Sequence, residues 1–454
     1  MSEQRITPRT LKGFRDFLPE MMIPRERLVE TAQAVYRSYG FVPIETPTLE
    51  YSEILCGKGG EESDRQMFRF EDHGGRDVGM RFDLTVPLAR FVAQHANDLG
   101  LPFKRYHIGM VWRGEKPQVG RYREFAQCDF DTIGTTSIAS DIETGLVIHD
   151  LLRAIGFENF NIRVNNRKVL NGLLEKFALA EDSVAVLRSI DKLPKVGREK
   201  VREEMLSTTQ ATESQVDQIL CLAEIHGDNE RVIEQLEPIC KGNEQAEQGL
   251  HELVQLTQAT RAVGVSQDHL KIDVSIARGL DYYTGTIFET FLDDLPKIGS
   301  VCSGGRYDNL ADLFTKQQLP GIGASLGLDR LLAAMQTLKM IPESKTTADV
   351  LIVQFDSERL NDYFQIAAQL RKSGISTEVY PEAKRLGHQF KYADRRGFQA
   401  VIVAGSNELE SGHLQLKWLS DGTQCELSSG DDCAEVIAWL SKKLGKSLTS
   451  IGRS

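Results

Sequence analysis

Apolar and polar positions along this chain fall into three textures, and each predicts a different kind of element. From Pro24 to Tyr39 the apolar residues recur at helical spacing, and Gly40 predicts the stop of that helix. FVPIETPTLEY follows as an extended segment, because Pro43 and Pro47 each push the residue before them out of the helical region. YHIGMVW and REFAQCDFD read as two strands, with Gly114, Pro117 and Gly120 in the turn between them. An antiparallel pair with a charged tip is expected there, either covering a ligand or simply solvated. Alternation from Tyr283 to Phe288 predicts another strand. This texture covers residues 1–165 and resumes over 264–340.

Between them, residues 166–263 carry leucine-rich amphipathic stretches such as VLNGLLEKFALA and QVDQILCLAEI, joined by charged connectors and without strand signals. A mostly helical insertion is expected. The third texture, 346–454, alternates ADVLIVQF, STEVYP and AVIVAG with helical segments, which predicts a small α/β domain with a largely parallel sheet.

Composition narrows the function classes. A chain of 454 residues exceeds one ordinary core, and 41% hydrophobic with 26% charged residues describes a globular protein. The formal net charge of −11 attracts no nucleic acid globally, so any RNA contact must use local basic patches. Seven cysteines without CxxC spacing argue against disulfides and a zinc ribbon, and the nine histidines show no paired ligand spacing. No signal peptide or membrane span is readable, so a cytoplasmic location is expected. CGKGGEE looks like a phosphate loop but lacks the GxxxxGKS or GxxxxGKT arrangement and reads as a flexible loop. Cys128 and Cys302 have no histidine placed as a base and read as packed small hydrophobes.

The densest chemistry lies in RGLDYYTGTIFE, where Arg278 precedes the adjacent phenols of Tyr282 and Tyr283. Such a segment suits a small polar aromatic ligand bearing an anion, although a core strand with a surface arginine would read the same way. Three other blocks share its order: KRYHIGMVWRGEKPQVGRYREFAQCDFD upstream, SVCSGGRYDNL and GIGASLGLDRLLAAM downstream. Together the four blocks resemble histidyl-tRNA synthetase, a class II aminoacyl-tRNA synthetase, from Thr10 to Ser420. RGLDYYTGTIFE and SGGRYD match the two signatures peculiar to that family, and the other two blocks match class II motifs 2 and 3.

The resemblance implies a catalytic domain built on an antiparallel sheet flanked by helices, a helical insertion near the acceptor arm of tRNA, and a C-terminal α/β anticodon-binding domain. It implies that L-histidine is activated with ATP and passed to its tRNA, that Mg²⁺ arrives with the phosphates, and that the helix and proline-bearing strand of motif 1 build a homodimer. Charging an amino acid brings a carboxylate against a phosphate, so arginines must converge from distant segments. By resemblance these are Arg113, Arg278 and Arg330, with Arg278 doing work that related enzymes give to a metal ion. Glu115, Arg121 and Phe125 would hold ATP, with Phe125 stacked on adenine. Asp83, Thr85 and Gln127 would hold the amino acid's ammonium, Asp131 and Tyr283 would bind the ring nitrogens, Leu84 and Tyr282 would line the same histidine pocket, and Arg113 and Arg278 would lie at the carboxylate end. Gln118 and Arg123 are candidates for the tRNA acceptor end, and Lys384, Arg385, Lys391, Arg395 and Arg396 for its anticodon arm, a cluster that also reads as a solvated helix face.

One departure is visible: many relatives carry a glutamate within RPEGT where this chain has Asp83 in FDLTVP, a form that resembles the archaeal and eukaryotic branch. A second reading from another class is the idle paralogue that serves as regulatory subunit of ATP phosphoribosyltransferase. Those paralogues typically lose motif arginines and the anticodon domain, and this sequence keeps both.

Overall fold

The computed structural model describes residues 6–56, 64–117, 120–276, 282–341, 345–430 and 432–446. They form two compact units, Met1–Arg15 with Arg27–Leu338, and Asp16–Glu26 with Lys339–Ser454.

The first unit is organised by an eight-stranded sheet. Its strands are β1 (Val42–Pro43), β5 (Phe103–Trp112), β6 (Glu124–Ile133), β7 (Phe160–Asn166), β8 (Leu270–Ile272), β9 (Thr286–Leu292), β10 (Cys302–Tyr307) and β11 (Gly321–Gly327). They lie in the order β1-β5-β6-β11-β10-β9-β7-β8. The six inner strands are antiparallel, and the short edge strands β1 and β8 pair in parallel. A separate three-stranded sheet joins β2 (Leu49–Tyr51), β3 (Arg69–Glu71) and β4 (Asp77–Met80) in the order β2-β4-β3.

Residues directly opposite one another on antiparallel strands share a face, and neighbours along a strand do not. The row Tyr106–Phe130–Ala324–Gly304–Phe288 therefore lies on one side of the sheet. Its neighbour His107–Asp129–Ser325–Ser303–Glu289 lies on the other. The apolar side is core. The helix Pro19–Ser38 packs there through Tyr36, whose hydroxyl donates to the Cys128 carbonyl at 3.1 Å and whose ring centroid lies 5.1 Å from that of Phe130. That helix begins five residues before the expected start, because the N–H missing at Pro24 removes a single backbone bond while the turns on either side continue. Gly40, at φ +79°, ends the run as expected. Cys128 and Cys302 are buried, and burial pushes the Cys302 thiol far above its ordinary range, which suits packing rather than nucleophilic chemistry.

Between β7 and β8 the chain is helical from Arg167–Lys176 to Glu244–Ala262, with a leucine- and valine-rich interior that includes Leu174, Val186, Leu220 and Leu236. The second unit has the sheet order β13-β12-β14-β15-β16. Its strands are β12 (Val350–Ile352), β13 (Thr377–Val379), β14 (Ala400–Val403), β15 (His413–Trp418) and β16 (Gln424–Ser428). The three strands read from ADVLIVQF, STEVYP and AVIVAG are parallel, while β15 and β16 add an antiparallel pair that the sequence reading passed over. No helix of the described residues is long and apolar enough to cross a membrane.

Candidate active site

The polar side of β6 carries Phe125, Gln127, Asp129 and Asp131 in strict alternation, so one strand aims four side chains at the same space. Asp131 is 3% exposed. It accepts a hydrogen bond from the Tyr307 hydroxyl, and its other oxygen lies 2.7 Å from the guanidinium of fully buried Arg105 on β5. Gly323 stands opposite it on β11, where a β-carbon would come within 2.2 Å of the Asp131 carboxylate. The close approach of carboxylate and backbone requires glycine there. Burial raises Asp131's pKa, and Arg105 and Tyr307 oppose that shift.

One row along, Gln127 donates to the Ser325 hydroxyl at 2.8 Å, while its side-chain oxygen is buried without a partner. Between the two rows sits Asp129, hydrogen-bonded to Ser325 and opposite His107. Burial pushes Asp129 up to about 7, whereas burial and the charges of Arg105 and Arg81 push His107 down to about 3. His107 is therefore neutral, and Asp129 sits near its midpoint at neutral pH.

Asp83 approaches from the loop before the helix Thr85–His95. Its Oδ1 accepts from the backbone N–H groups of Thr85 at 3.0 Å and Val86 at 2.9 Å, so it caps the helix as well as facing the site. Burial raises its pKa, while the Val86 N–H and the Arg113 charge oppose. Leu84 is fully buried, and its carbonyl lies near Arg105. The Thr85 side chain is hydrogen-bonded to that of Tyr282. The Tyr282 ring lies 5.3 Å from Tyr283 and 5.9 Å from Tyr307, edge-on to each. The Tyr283 ring abuts Gly305, one place across from Gly323 on β10. Asp83, Thr85, Gln127, Asp131, Tyr282 and Tyr283 thus share one neighbourhood.

Beyond Gln127 the face turns from carboxylates to cations and rings. Arg113, just past the end of β5, lies 4.4 Å from the Phe82 ring centroid and 5.0 Å from that of Phe125, and its Nε donates to the Phe82 carbonyl at 3.1 Å. The Gln127–Gly327 pair brings the start of the helix Leu328–Thr337 to the same end of the sheet. Asp329 fixes that start: it pairs with Arg15 and accepts the Ala126 N–H at 2.9 Å. Next to it the Arg330 guanidinium donates to the Ser300 carbonyl. The hairpin tip keeps Arg121 within 3.7 Å of Glu115 as an ion pair. Arg123 is engaged at the hairpin neck, donating to the Glu115 carbonyl at 3.1 Å and the Lys12 carbonyl at 3.4 Å. Arg278, Gln118 and the CGKGGEE stretch after Cys56 lie outside the described residues.

In the second unit Lys384, Arg385, Lys391 and Arg395 are exposed, whereas Arg396 is half-buried near Tyr392. The helix Leu386–Arg396 that carries most of them is fixed by fully buried Gln389, which accepts the Gln354 N–H and donates to the Gln354 and Lys384 carbonyls. That anchors the basic stretch to the end of β12.

Arg105, His107, Asp129, Tyr307 and Ser325 escaped the sequence reading. Each lies inside a block already singled out, and the period-two spacing Arg105–His107 and Gln127–Asp129–Asp131 was the available signal.

A histidyl-tRNA synthetase family model matches residues 13–331, and an anticodon-binding domain model matches residues 349–442. A histidine–tRNA ligase of Rhodopirellula baltica is 61% identical over 415 residues, covering 91% of this chain and 94% of that one. One from Wolinella succinogenes is 46% identical over 440 residues, covering 96% of this chain and all of its own. The crystal structure of histidyl-tRNA synthetase from a Nostoc species superposes with a TM-score of 0.88 at 34% identity, covering 97% of this chain and 100% of that one.

Proposed function

Since the chain belongs to the histidyl-tRNA synthetase family, we propose that the polar face of β5, β6 and β11 is the floor on which it activates histidine. The enzyme is a histidine–tRNA ligase: it joins L-histidine to ATP as histidyl-adenylate, releasing pyrophosphate, and transfers histidine to the 3′ end of its tRNA. In the first step a carboxylate oxygen of histidine attacks the α-phosphorus, and the bond to the bridging oxygen of pyrophosphate breaks. In the second a ribose hydroxyl of the tRNA attacks the activated carbonyl, and AMP leaves.

Several roles follow for this chain's residues. Arg113 holds the histidine carboxylate against the α-phosphate, where negative charge gathers in the transition state. Arg330 meets the γ-phosphate, with Arg278 on the α-phosphate opposite Arg113. Phe125 stacks on adenine, and Glu115 and Arg121 close the hairpin tip over the nucleotide. Asp83, Thr85 and Gln127 hold the ammonium, while Asp131 and Tyr283 face the ring nitrogens beside Leu84 and Tyr282. What supports this reading above all is the Arg105–Asp131–Tyr307 cluster. It orients a buried carboxylate beside two tyrosines, and such a site rejects a ligand that lacks the matching N–H. Mg²⁺ would arrive with ATP through the phosphate oxygens and supply positive charge there.

The exposed basic residues Lys384, Arg385, Lys391 and Arg395 would meet the tRNA anticodon arm, with Arg396 behind them, and Gln118 and Arg123 the acceptor end. A homodimer would form through the motif 1 region, where Val42, Leu49 and Tyr51 on short strands are each about half exposed. The cytoplasm is the expected location of such an enzyme. Histidine-dependent ATP–pyrophosphate exchange tests the first step, and charging of a transcript tRNA tests the second. Exchange that does not depend on histidine defeats the reading.

A further inference from the structure

Three buried carboxylates, Asp83, Asp129 and Asp131, line this floor. Each has a donor of its own: Asp83 the N–H groups of Thr85 and Val86, Asp131 the Tyr307 hydroxyl, and Asp129 the Ser325 hydroxyl. Asp131 Oδ2 makes no hydrogen bond but lies 2.7 Å from the Arg105 guanidinium, whereas Asp129 Oδ1 is buried with neither a hydrogen bond nor an ion pair among the described residues. The side-chain oxygen of Gln127, two residues earlier on the same face, is unpartnered too. An orphaned acceptor of this kind is costly until a donor reaches it.

The charges facing Asp129 balance, and what the face leaves open is a pair of acceptors. From β5 come Arg105 and neutral His107, from β6 Asp131, from β11 the hydroxyl of Ser325, from the loop before Thr85 Asp83, and beside His107 the buried guanidinium of Arg81. With Arg113 beside Asp83, three acids meet three cations among the described residues. Asp129 Oδ1 and the side-chain oxygen of Gln127 are the acceptors that neither a hydrogen bond nor an ion pair fills.

We infer that Asp129 is a further specificity-determining residue, which with Gln127 receives the α-ammonium of the bound amino acid. An ammonium supplies what these two acceptors lack, more than one N–H donor, and its charge strengthens each bond. A ring N–H offers one donor and no charge, and Asp131 with Tyr283 already stands one row further along for it. The upward push on Asp129's pKa agrees, since a carboxylate that resists ionising alone is stabilised once a cation arrives. The inference rests on the histidine-site reading above and adds the residue that makes the site prefer an amino acid to a simple imidazole acid.

The test compares Asp129→Asn with the parent enzyme by calorimetric titration of L-histidine and of imidazolepropionate, which keeps the ring and carboxylate but lacks the ammonium. The KM for ATP in exchange is measured alongside. Histidine affinity should fall at least about tenfold, as for loss of a charge-assisted bond, with imidazolepropionate affinity and the ATP KM nearly unchanged. Equal weakening of both ligands, or of neither, overturns the inference while leaving the function intact. A parent enzyme that binds no histidine overturns the function and the inference together. Should Asp129→Asn fail to fold, Asp129→Ser carries the same comparison.

Discussion

Gly323 faces Asp131 across the β6–β11 ladder with so little clearance that a β-carbon would stand 2.2 Å from the carboxylate oxygen. Gly323→Ala must therefore displace Asp131 and, with it, the contacts to Arg105 and Tyr307. Overpacking of this kind costs about 1–3 kcal/mol. The variant should melt earlier, and its KM for histidine should rise more than its KM for ATP. An unchanged histidine KM would show that Asp131 does not face the substrate.

Arg113 lies beside the Phe82 and Phe125 rings with its Nε on a backbone carbonyl, so its position is set before substrate arrives. Arg113→Ala should slow pyrophosphate exchange by roughly 10²–10³-fold, the range seen when a preorganised oxyanion donor is removed. Arg113→Lys should recover little, because a point charge cannot reproduce a fork of donors. Full activity in the lysine variant would show that charge alone suffices.

The pH dependence of ligand-free stability should carry the signature of Asp129. Its folded pKa of about 7 lies above the ordinary 3.8, so the folded state keeps a proton that the unfolded state releases. The stabilisation from that proton is full below the unfolded value and is lost as pH rises through about 7. His107, lowered to about 3, acts in the opposite sense: its contribution is full above 6.5 and is lost as pH falls towards 3. Subtracting the two proteins' profiles isolates the carboxylate. Asp129→Asn should raise the melting temperature at pH 8 and do so progressively less towards pH 5, with a span on the order of a few kcal/mol. Saturating histidine should erase the advantage at pH 8. A difference that does not vary with pH would mean that Asp129 does not titrate in this range.

Lys391 and Arg395 are exposed on a helix held in place by Gln389. Replacing both by alanine should raise the KM for tRNA and flatten its salt dependence by roughly one unit of slope per lost phosphate contact. Exchange without tRNA should not change. A tRNA KM identical to the parent's would return this cluster to the reading of a solvated helix face.

Much of this architecture was legible along the chain, for a local reason. Alternation in REFAQCDFD and YHIGMVW marks a hairpin with one polar face, because side chains on a strand point to opposite sides in turn. The same rule separates Cys128 and Phe130, which pack under Tyr36, from Gln127 and Asp131, which face the site. The helical texture between β7 and β8 and the three parallel strands of the second unit were equally local signals. Less legible was β15–β16, since two short alternating runs after a parallel set could continue the sheet in either direction.

Sequence by itself determined which residue types were available: arginines in separate blocks, paired tyrosines, and two acids, Asp129 and Asp131, on one face of a single strand. It could not say which carboxylate would be engaged and which left open, because that depends on partners far away in the chain. Asp131 is met by Arg105 and by Tyr307, 176 residues later, and Asp83 by backbone next to it. Asp129, in the same strand and of the same residue type, was left with an open oxygen. Tertiary structure decided that difference, since burial fixes the cost of an unpaired charge and only packing determines where a distant donor arrives.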